Sequence, residues 1–417
     1  MQSGVSLEAG ARELLEANTQ RAVKDGRTYA FSVPSRQAYP FQWFWDSCFH
    51  AIVWARFDAE RAAEELRGLL AWQGRDGFIP HVIFWNRELA RRNPSYWHFR
   101  ESRPWLRRPW TTARVQPPVL AQAVERVVDS GGGDPFLRET LEPLERYYRW
   151  LATARDPDED SLLTIISSFE SGLDHCPVYD YPHSLHVDDA DPLQPDPWWT
   201  LRREFVNKLF GHRASVLSRV RRSTHEDVHF TSIFAQGLRS LARLADRAGN
   251  DALARWSREK AGRVTEALME RSYDARAGLF WNLVGTREQS VRVKTIVSLM
   301  PLILEDLPRT AVESLVEHLA NPDEFWLDYP VASTARDEPA FTPIRTRLIW
   351  RGPMSMNTNW FLAHALRGHG YPDLADTIGE RSRELVERHG FNEFYNPLTG
   401  EPVGVETFGW ATLVLDL

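Results

Sequence analysis

Cysteine is nearly missing from this chain: Cys48 and Cys176 are the only two in 417 residues. That is too few for a disulfide framework at this length, so both are expected as small buried thiols. No uninterrupted apolar run is long enough to span a bilayer, and the segment Met1 to Asn18 lacks a basic start followed by an apolar stretch. These absences predict a soluble, cytoplasmic protein. Basic charge is not in excess either. The net charge of −7 argues against nucleic acid or an anionic membrane as the main partner and leaves a small molecule as the expected one. Neither a dinucleotide fingerprint nor a nucleophile elbow occurs, and Gly131-Gly132-Gly133 lacks the Lys-Ser or Lys-Thr pair of a phosphate loop, so it reads as a connector. No cofactor is implied.

Tryptophan, by contrast, is abundant, with 17 residues. A tryptophan offers a flat face and one donor at low conformational cost, and several here cluster with Asp, Gln and Arg, as carbohydrate sites do. Around them the apolar residues recur at spacings of three and four, which predicts about a dozen amphipathic helices. Among these are Leu7 to Ala22, Asp46 to Phe57, Ala59 to Trp72, Leu201 to Val220, Phe230 to Ala248 and Pro372 to His389. Strand-like alternation is rare; Phe78 to Phe84 and Leu279 to Val284 are the exceptions. Three long stretches, about 86–114, 180–199 and 321–352, interrupt the helical pattern and hold Trp97, Trp105, Trp110, Trp198, Trp326 and Trp350. Loops of that length are usually functional. Paired helices with elaborate loops at one end predict an all-α fold, an (α/α)6 toroid barrel with the site at its mouth. No composition break divides 1–417, so a single catalytic domain is expected.

Two distant stretches set carboxylates beside aromatic residues and a turn former: Phe169-Glu170-Ser171-Gly172-Leu173-Asp174 and Phe391-Asn392-Glu393-Phe394-Tyr395-Asn396-Pro397. Glycoside cleavage needs such a pair, one acid to protonate the leaving oxygen and one carboxylate to activate water across the sugar. Aromatic walls would raise the pKa of the acid and stack on the ring.

Seven short motifs in order carry a family resemblance. They are Tyr39-Pro40-Phe41-Gln42-Trp43-Phe44-Trp45-Asp46-Ser47, Asp76-Gly77-Phe78-Ile79-Pro80-His81, Gln116-Pro117-Pro118-Val119-Leu120-Ala121, Glu170 to Asp174, Trp350-Arg351-Gly352-Pro353, Asn357-Thr358-Asn359-Trp360, and Glu393 to Gly400. Together they resemble the (α/α)6-barrel α-glycosidases of glycoside hydrolase family 63, in the bacterial branch containing mannosylglycerate and glucosylglycerate hydrolases. The resemblance implies Asp174 as general acid, protonated at rest, and an ionised Glu393 as general base. It also implies inversion of the anomeric centre, which calls for carboxyl groups roughly 6.5–9.5 Å apart. Substrate contacts are expected from Tyr39, Trp43, Trp45, Asp46, Gln116, Phe169, Glu170, Trp350, Arg351, Gly352, Asn357, Trp360 and Trp410. Ser355 stands where the family usually has an aromatic residue. The resemblance therefore implies a small glycoside as substrate, mannosylglycerate or glucosylglycerate first, a neutral disaccharide such as trehalose or a glucosyl oligosaccharide next. The arginines of 87–114 could pair with an anionic aglycone. A sugar-binding barrel without catalysis is the bland alternative.

A competing motif, His225-Glu226-Asp227-Val228-His229, satisfies the His-Glu-x-x-His pattern of zinc peptidases. Its context is polar, and Thr224-x-x-Asp227 reads as a helix start. A helix beginning near Asp227 would leave His225 outside it, with the two imidazoles diverging. The acidic run Asp180, Asp188, Asp189, Asp191 and Asp196 is broken by prolines and reads as a solvated loop rather than a calcium site.

Overall fold

The computed structural model describes residues 6–92, 110–180, 187–188, 191–195, 197–220, 224–344 and 348–417, and only the backbone within 187–201. Trp97, Trp105, the Trp198 side chain and the acidic run from Asp188 to Asp196 thus lie outside what is described.

Fourteen α-helices occur among the described residues: α1 Leu7–Asn18, α2 Phe44–Trp54, α3 Ala59–Leu70, α4 Arg87–Arg92, α5 Leu120–Val127, α6 Gly133–Ala154, α7 Pro197–Leu209, α8 Ala214–Val220, α9 Val228–Arg247, α10 Asp251–Ala267, α11 Ile296–Leu299, α12 Arg309–Leu319, α13 Met356–Gly368 and α14 Pro372–His389. Six inner segments form a closed ring. They are α2, α5, α9, α11 with the 3-10 turn Met300–Ile303, α13, and the 3-10 helix Gly409–Asp416; each packs on the next and the last returns to α2. Outside lie α1, α3, α6, α10 and α14, and α12 completes the outer set against the strand Leu279–Phe280. The fold is therefore the expected (α/α)6 barrel.

Residue patterns explain which helix goes where. All eleven residues of α2 are buried, and Asp46 is its one charged side chain, as a helix surrounded on every side requires. In α3 the buried face is Ala62, Ala63, Leu66, Gly68 and Leu69 together with Glu65, which pairs with Arg61, and charge covers most of the rest. Asp58 starts α3 by accepting the Glu60 and Arg61 N–H groups, each at 3.0 Å. One apolar core runs through the ring from Ala11 to Leu417.

Several expected elements change. The first helix stops at Asn18, because Thr19–Lys24 pairs antiparallel with Arg27–Ser32 across Asp25-Gly26. Both turn residues have positive φ, 50° and 80°, the requirement of a tight hairpin turn. The stretch 201–220 splits into α7 and α8 at Gly211, whose φ is 65°. Helix α2 begins at Phe44, so Asp46 lies inside its first turn rather than capping a helix at Ser47. Short sheets decorate the ring. One orders Gln289–Val291, Asn282–Val284, His225–Glu226 and Thr164–Ile165; another pairs Asn392–Tyr395 with Pro402–Glu406. Among the described residues no helix is long and apolar enough to cross a membrane.

Candidate active site

Thirteen residues from both halves of the chain enclose one small cavity, and three of them are acids: Asp46, Asp174 and Glu393. Asp46 comes from α2. Asp174 follows a 3-10 turn, Ser168–Glu170, and the left-handed Gly172 with φ 73°. A Cβ at Gly172 would sit 2.6 Å from the Trp45 ring, so only glycine lets this turn lie against that wall. Glu393 sits on Asn392–Tyr395, where the pairing register shifts between Asn392 and Phe394. Such a bulge re-aims a side chain. Here Glu393 is buried, and its Oε2 accepts the Val405 N–H at 2.9 Å.

The walls are aromatic. Tyr39, Trp43, Trp45, Trp350, Phe408 and Trp410 line the cavity, and Trp410 meets Trp45 edge-on at 5.8 Å. Trp410 also donates its indole N–H to the Glu393 carbonyl at 3.0 Å, tying wall and acid together. The enclosed free space is about 40 Å3. That holds a water molecule but falls below the roughly 300 Å3 of ordinary ligand pockets, so a sugar ring enters only as the walls part. Larger cavities of about 350, 660 and 290 Å3 lie elsewhere among the described residues. The first two are each lined by a single acidic residue, exposed Glu305 in one and exposed Asp328 in the other, and the third holds Asp158, Glu226 and Glu288 but no aromatic wall to stack on a sugar.

Burial dominates the electrostatics. It pushes Asp174 up to about 7, opposed by the Arg114 guanidinium and by a backbone hydrogen bond. Glu393 rises to about 8, again through burial; the Val405 N–H and the Tyr39 side chain hold it down, and Asp174 adds to the rise. Asp46 is raised well above the carboxylate range by burial and then by Glu393 and Asp174, and its Oδ1 has no hydrogen-bond partner. Both carboxyls are thus raised into the neutral range, and as neighbours they titrate as a pair. What opposes burial differs between them: the Arg114 charge at Asp174, and the neutral Val405 N–H and Tyr39 side chain at Glu393. Arg114 is itself buried and paired with Glu204.

Of the thirteen expected substrate contacts, Tyr39, Trp43, Trp45, Asp46, Gln116, Trp350 and Trp410 line this cavity. Gln116 accepts the Trp45 N–H at 3.1 Å and so also fixes the start of α2. The other six lie off the lining. Glu170 is fully buried and engaged elsewhere: Arg155 grips it at 2.8 and 2.6 Å, and the N–H groups of Val115 and Ile166 complete its shell. Phe169 stacks under Arg114 at 5.2 Å. Arg351 pairs with Asp180, which corrects the reading of Asp180 as a solvated loop charge. Gly352 donates its N–H to Ser333 Oγ at 3.0 Å, and a Cβ there would meet Phe341 at 2.9 Å. Asn357 accepts the Thr358 N–H, and Trp360 lines the 350 Å3 cavity while donating to Asp416 at 2.8 Å. These aromatic and polar motifs mark the fold as much as the site. Ser355, at the head of α13, donates to the Glu393 carbonyl at 3.4 Å. Missed were Pro34, Gly172, Ile349 and Phe408. Phe408 had a signal, standing two residues before Trp410 and against it at 4.4 Å.

The peptidase motif does not assemble. His225 and Glu226 lie on a strand, Asp227 caps α9 by accepting the Phe230 N–H, and His229 is inside the helix. His225 meets Tyr179 edge-on, and burial lowers His229 to about 3. Both cysteines are buried and free.

A closed six-pair helical ring around an aromatic cavity that holds three carboxyls is the architecture of an α/α-barrel glycoside hydrolase. Residues 39–411 match the mannosylglycerate hydrolase MGH1-like glycoside hydrolase domain, and the chain belongs to that family. It is 33% identical to mannosylglycerate hydrolase of Thermus thermophilus over 92% of this chain and 95% of the relative, and 28% identical to glucosylglycerate hydrolase of Mycolicibacterium hassiacum over 91% and 92%. The crystal structure of the family 63 mannosylglycerate hydrolase from Thermus thermophilus with Tris and D-glycerate superposes with a TM-score of 0.83 at 29% identity, covering 98% of both chains. Neutral trehalase from Saccharomyces cerevisiae shares the fold alone, with a TM-score of 0.58 at 14% identity.

Proposed function

We propose that this glycoside hydrolase, one catalytic domain across 1–417, cleaves a small α-glycoside with an anionic aglycone, mannosylglycerate or glucosylglycerate, with inversion. Asp174 protonates the bridging oxygen as the bond to the anomeric carbon breaks. Glu393 takes a proton from the water that attacks the opposite face. Asp46, with a buried oxygen lacking a donor, accepts from sugar hydroxyls, and the tryptophan walls stack on the ring. The observation that carries this reading is the convergence of Asp174 and Glu393, from chain segments more than two hundred residues apart, on one aromatic cavity where burial raises both. Names and ligands of the relatives support the choice of aglycone.

One turnover leaves the proton on Glu393 and removes it from Asp174. Each cycle therefore needs the proton returned to Asp174 before the next bond is broken. Two free buried thiols fit the cytoplasmic location expected from the sequence. The test is a panel of α-mannosides and α-glucosides with and without a carboxylate aglycone, followed by NMR of the first sugar released. Turnover confined to the glycerates with the β-anomer appearing first is expected. Preference for a neutral disaccharide would overturn the aglycone, an α-anomer the stereochemistry, and no turnover at all the catalytic reading.

A further inference from the structure

A second group of carboxylates stands apart from the cavity. Asp158, Asp160, Glu226 and Glu288 offer oxygens that all lie within 4.8 Å of one another. They come from three separate segments: the loop after α6, the strand His225–Glu226, and the turn between Asn282–Val284 and Gln289–Val291. Glu226 is 9% exposed, and its Oε2 has no hydrogen-bond partner. Asp158, Glu226 and Glu288 also line a cavity of about 290 Å3, where Thr164 and Thr224 add further oxygens and exposed Arg219 contributes from α8. Among the described residues Arg271 is the cation that pairs with the group, meeting Asp160 at 3.1 Å and Glu288. Lys260 is turned to Asp156 instead, at 2.9 Å. Four carboxylates outweigh that one paired guanidinium when all are ionised. A buried carboxylate oxygen with no donor, beside three others, is costly unless something positive lies between them.

We propose that Asp158, Asp160, Glu226 and Glu288 bind one hard divalent cation of calcium's size. The donor set is all oxygen, which suits Ca2+ and disfavours Zn2+. Four carboxylates with oxygens within 4.8 Å of one another suit the six to eight oxygen ligands that Ca2+ takes, whereas Mg2+ usually keeps several waters and one or two carboxylates. Exposed Asp158 and half-exposed Glu288 give an entry path, and Glu226 forms the floor. Glu226 thereby has a use that the His-Glu-x-x-His reading did not supply. Such an ion joins three segments at the sheet edge. One of its strands, Thr164–Ile165, pairs with Glu226 and leads within ten residues to Asp174. It therefore fastens the segment that carries the acid without touching the reacting atoms.

Chelator-treated full-length protein, titrated with CaCl2 by calorimetry and followed by thermal unfolding, tests this. One binding site is expected, with a Tm gain of several degrees at about 1 mM Ca2+. Glu226→Gln removes at least about tenfold in affinity and abolishes the gain, while glycoside turnover stays within about twofold of wild type. Absence of binding in the wild type, or an equal Ca2+ response in Glu226→Gln, would overturn the site. Should Glu226→Gln not fold, Asp158→Asn on the exposed side answers the same question: a weakened response supports the site and an unchanged one removes it. The glycosidase reading fails separately, through the substrate panel, because calcium binding requires no turnover.

Discussion

Among the described residues a buried group of acids and a partly exposed one can be compared, and they differ in what surrounds each carboxyl. Around Asp46, Asp174 and Glu393 the neighbours are indole and phenyl rings that enclose a space. Around Glu226 the neighbours are other carboxylates: burial leads, then Asp160, Asp158 and Glu288 raise it further, to about 9. In the first group protons are held by enclosure and can be moved by a substrate. In the second, mutual repulsion adds to burial, and a cation relieves that repulsion. Raised carboxyl pKa values alone do not distinguish a catalytic site from an ion site; the lining does.

Substitutions made in the two groups side by side test that contrast most severely. Asp174→Asn and Glu393→Gln should each lower kcat by about two or more orders of magnitude with circular dichroism unchanged, whereas Glu226→Gln should not. Near-wild-type turnover in either cavity variant would end the role assignment.

Next comes pH. Turnover needs Glu393 ionised and Asp174 protonated, so kcat/KM should follow a bell in the neutral to mildly alkaline range, set by macroscopic values of about 7 and about 8. Removing the Arg114 charge along with its partner, Arg114→Met with Glu204→Gln, should move the limb governed by Asp174 upward, since that charge holds Asp174 down. An unmoved limb would show that the guanidinium field does not reach the acid.

Stability gives a smaller effect of predictable sign. The folded-state value of Glu393 lies above its unfolded one, so its contribution is fully present below about 4.5 and lost as pH rises to about 8. Glu393→Gln should accordingly raise the unfolding free energy at about pH 8 by about 1–3 kcal/mol, and the gain should vanish near about pH 4. A destabilised variant under the alkaline condition would contradict burial as the cause. Smallest is Trp410→Phe, which keeps the wall and deletes the 3.0 Å bond to the Glu393 carbonyl. About 1 kcal/mol, or roughly fivefold in kcat/KM, is expected. A loss confined to KM would assign Trp410 to sugar stacking instead of holding the base.

Much of the fold was legible because helices announce themselves locally. Helix α14 runs from Pro372, the favoured proline at a first helical position, to His389, with Gly390 just past its end, and its bounds agree with the sequence reading. The hairpin over Thr19–Lys24 and Arg27–Ser32 was hidden by apolar spacing that continued past Asn18, although Asp25-Gly26 is a hairpin signal in its own right. The site was half legible. Motifs pointed to Asp174, Glu393 and the tryptophans, but they could not separate a contact with the cavity from a contact with the scaffold. Glu170 and Arg351 have the residue types of a sugar site and are engaged by Arg155 and Asp180, partners that lie outside their own motifs.

Helical periodicity, caps and the short motifs that bring acids next to aromatic residues were settled by the order of amino acids alone, since each depends on neighbours a few positions away. Which acids share a cavity and which share each other was left to the folded chain, because ring closure brings together segments from opposite ends of it. The same closure sets the electrostatics of the site: the charge of Arg114 reaches Asp174, and the N–H of Val405 reaches Glu393, only once the barrel has formed.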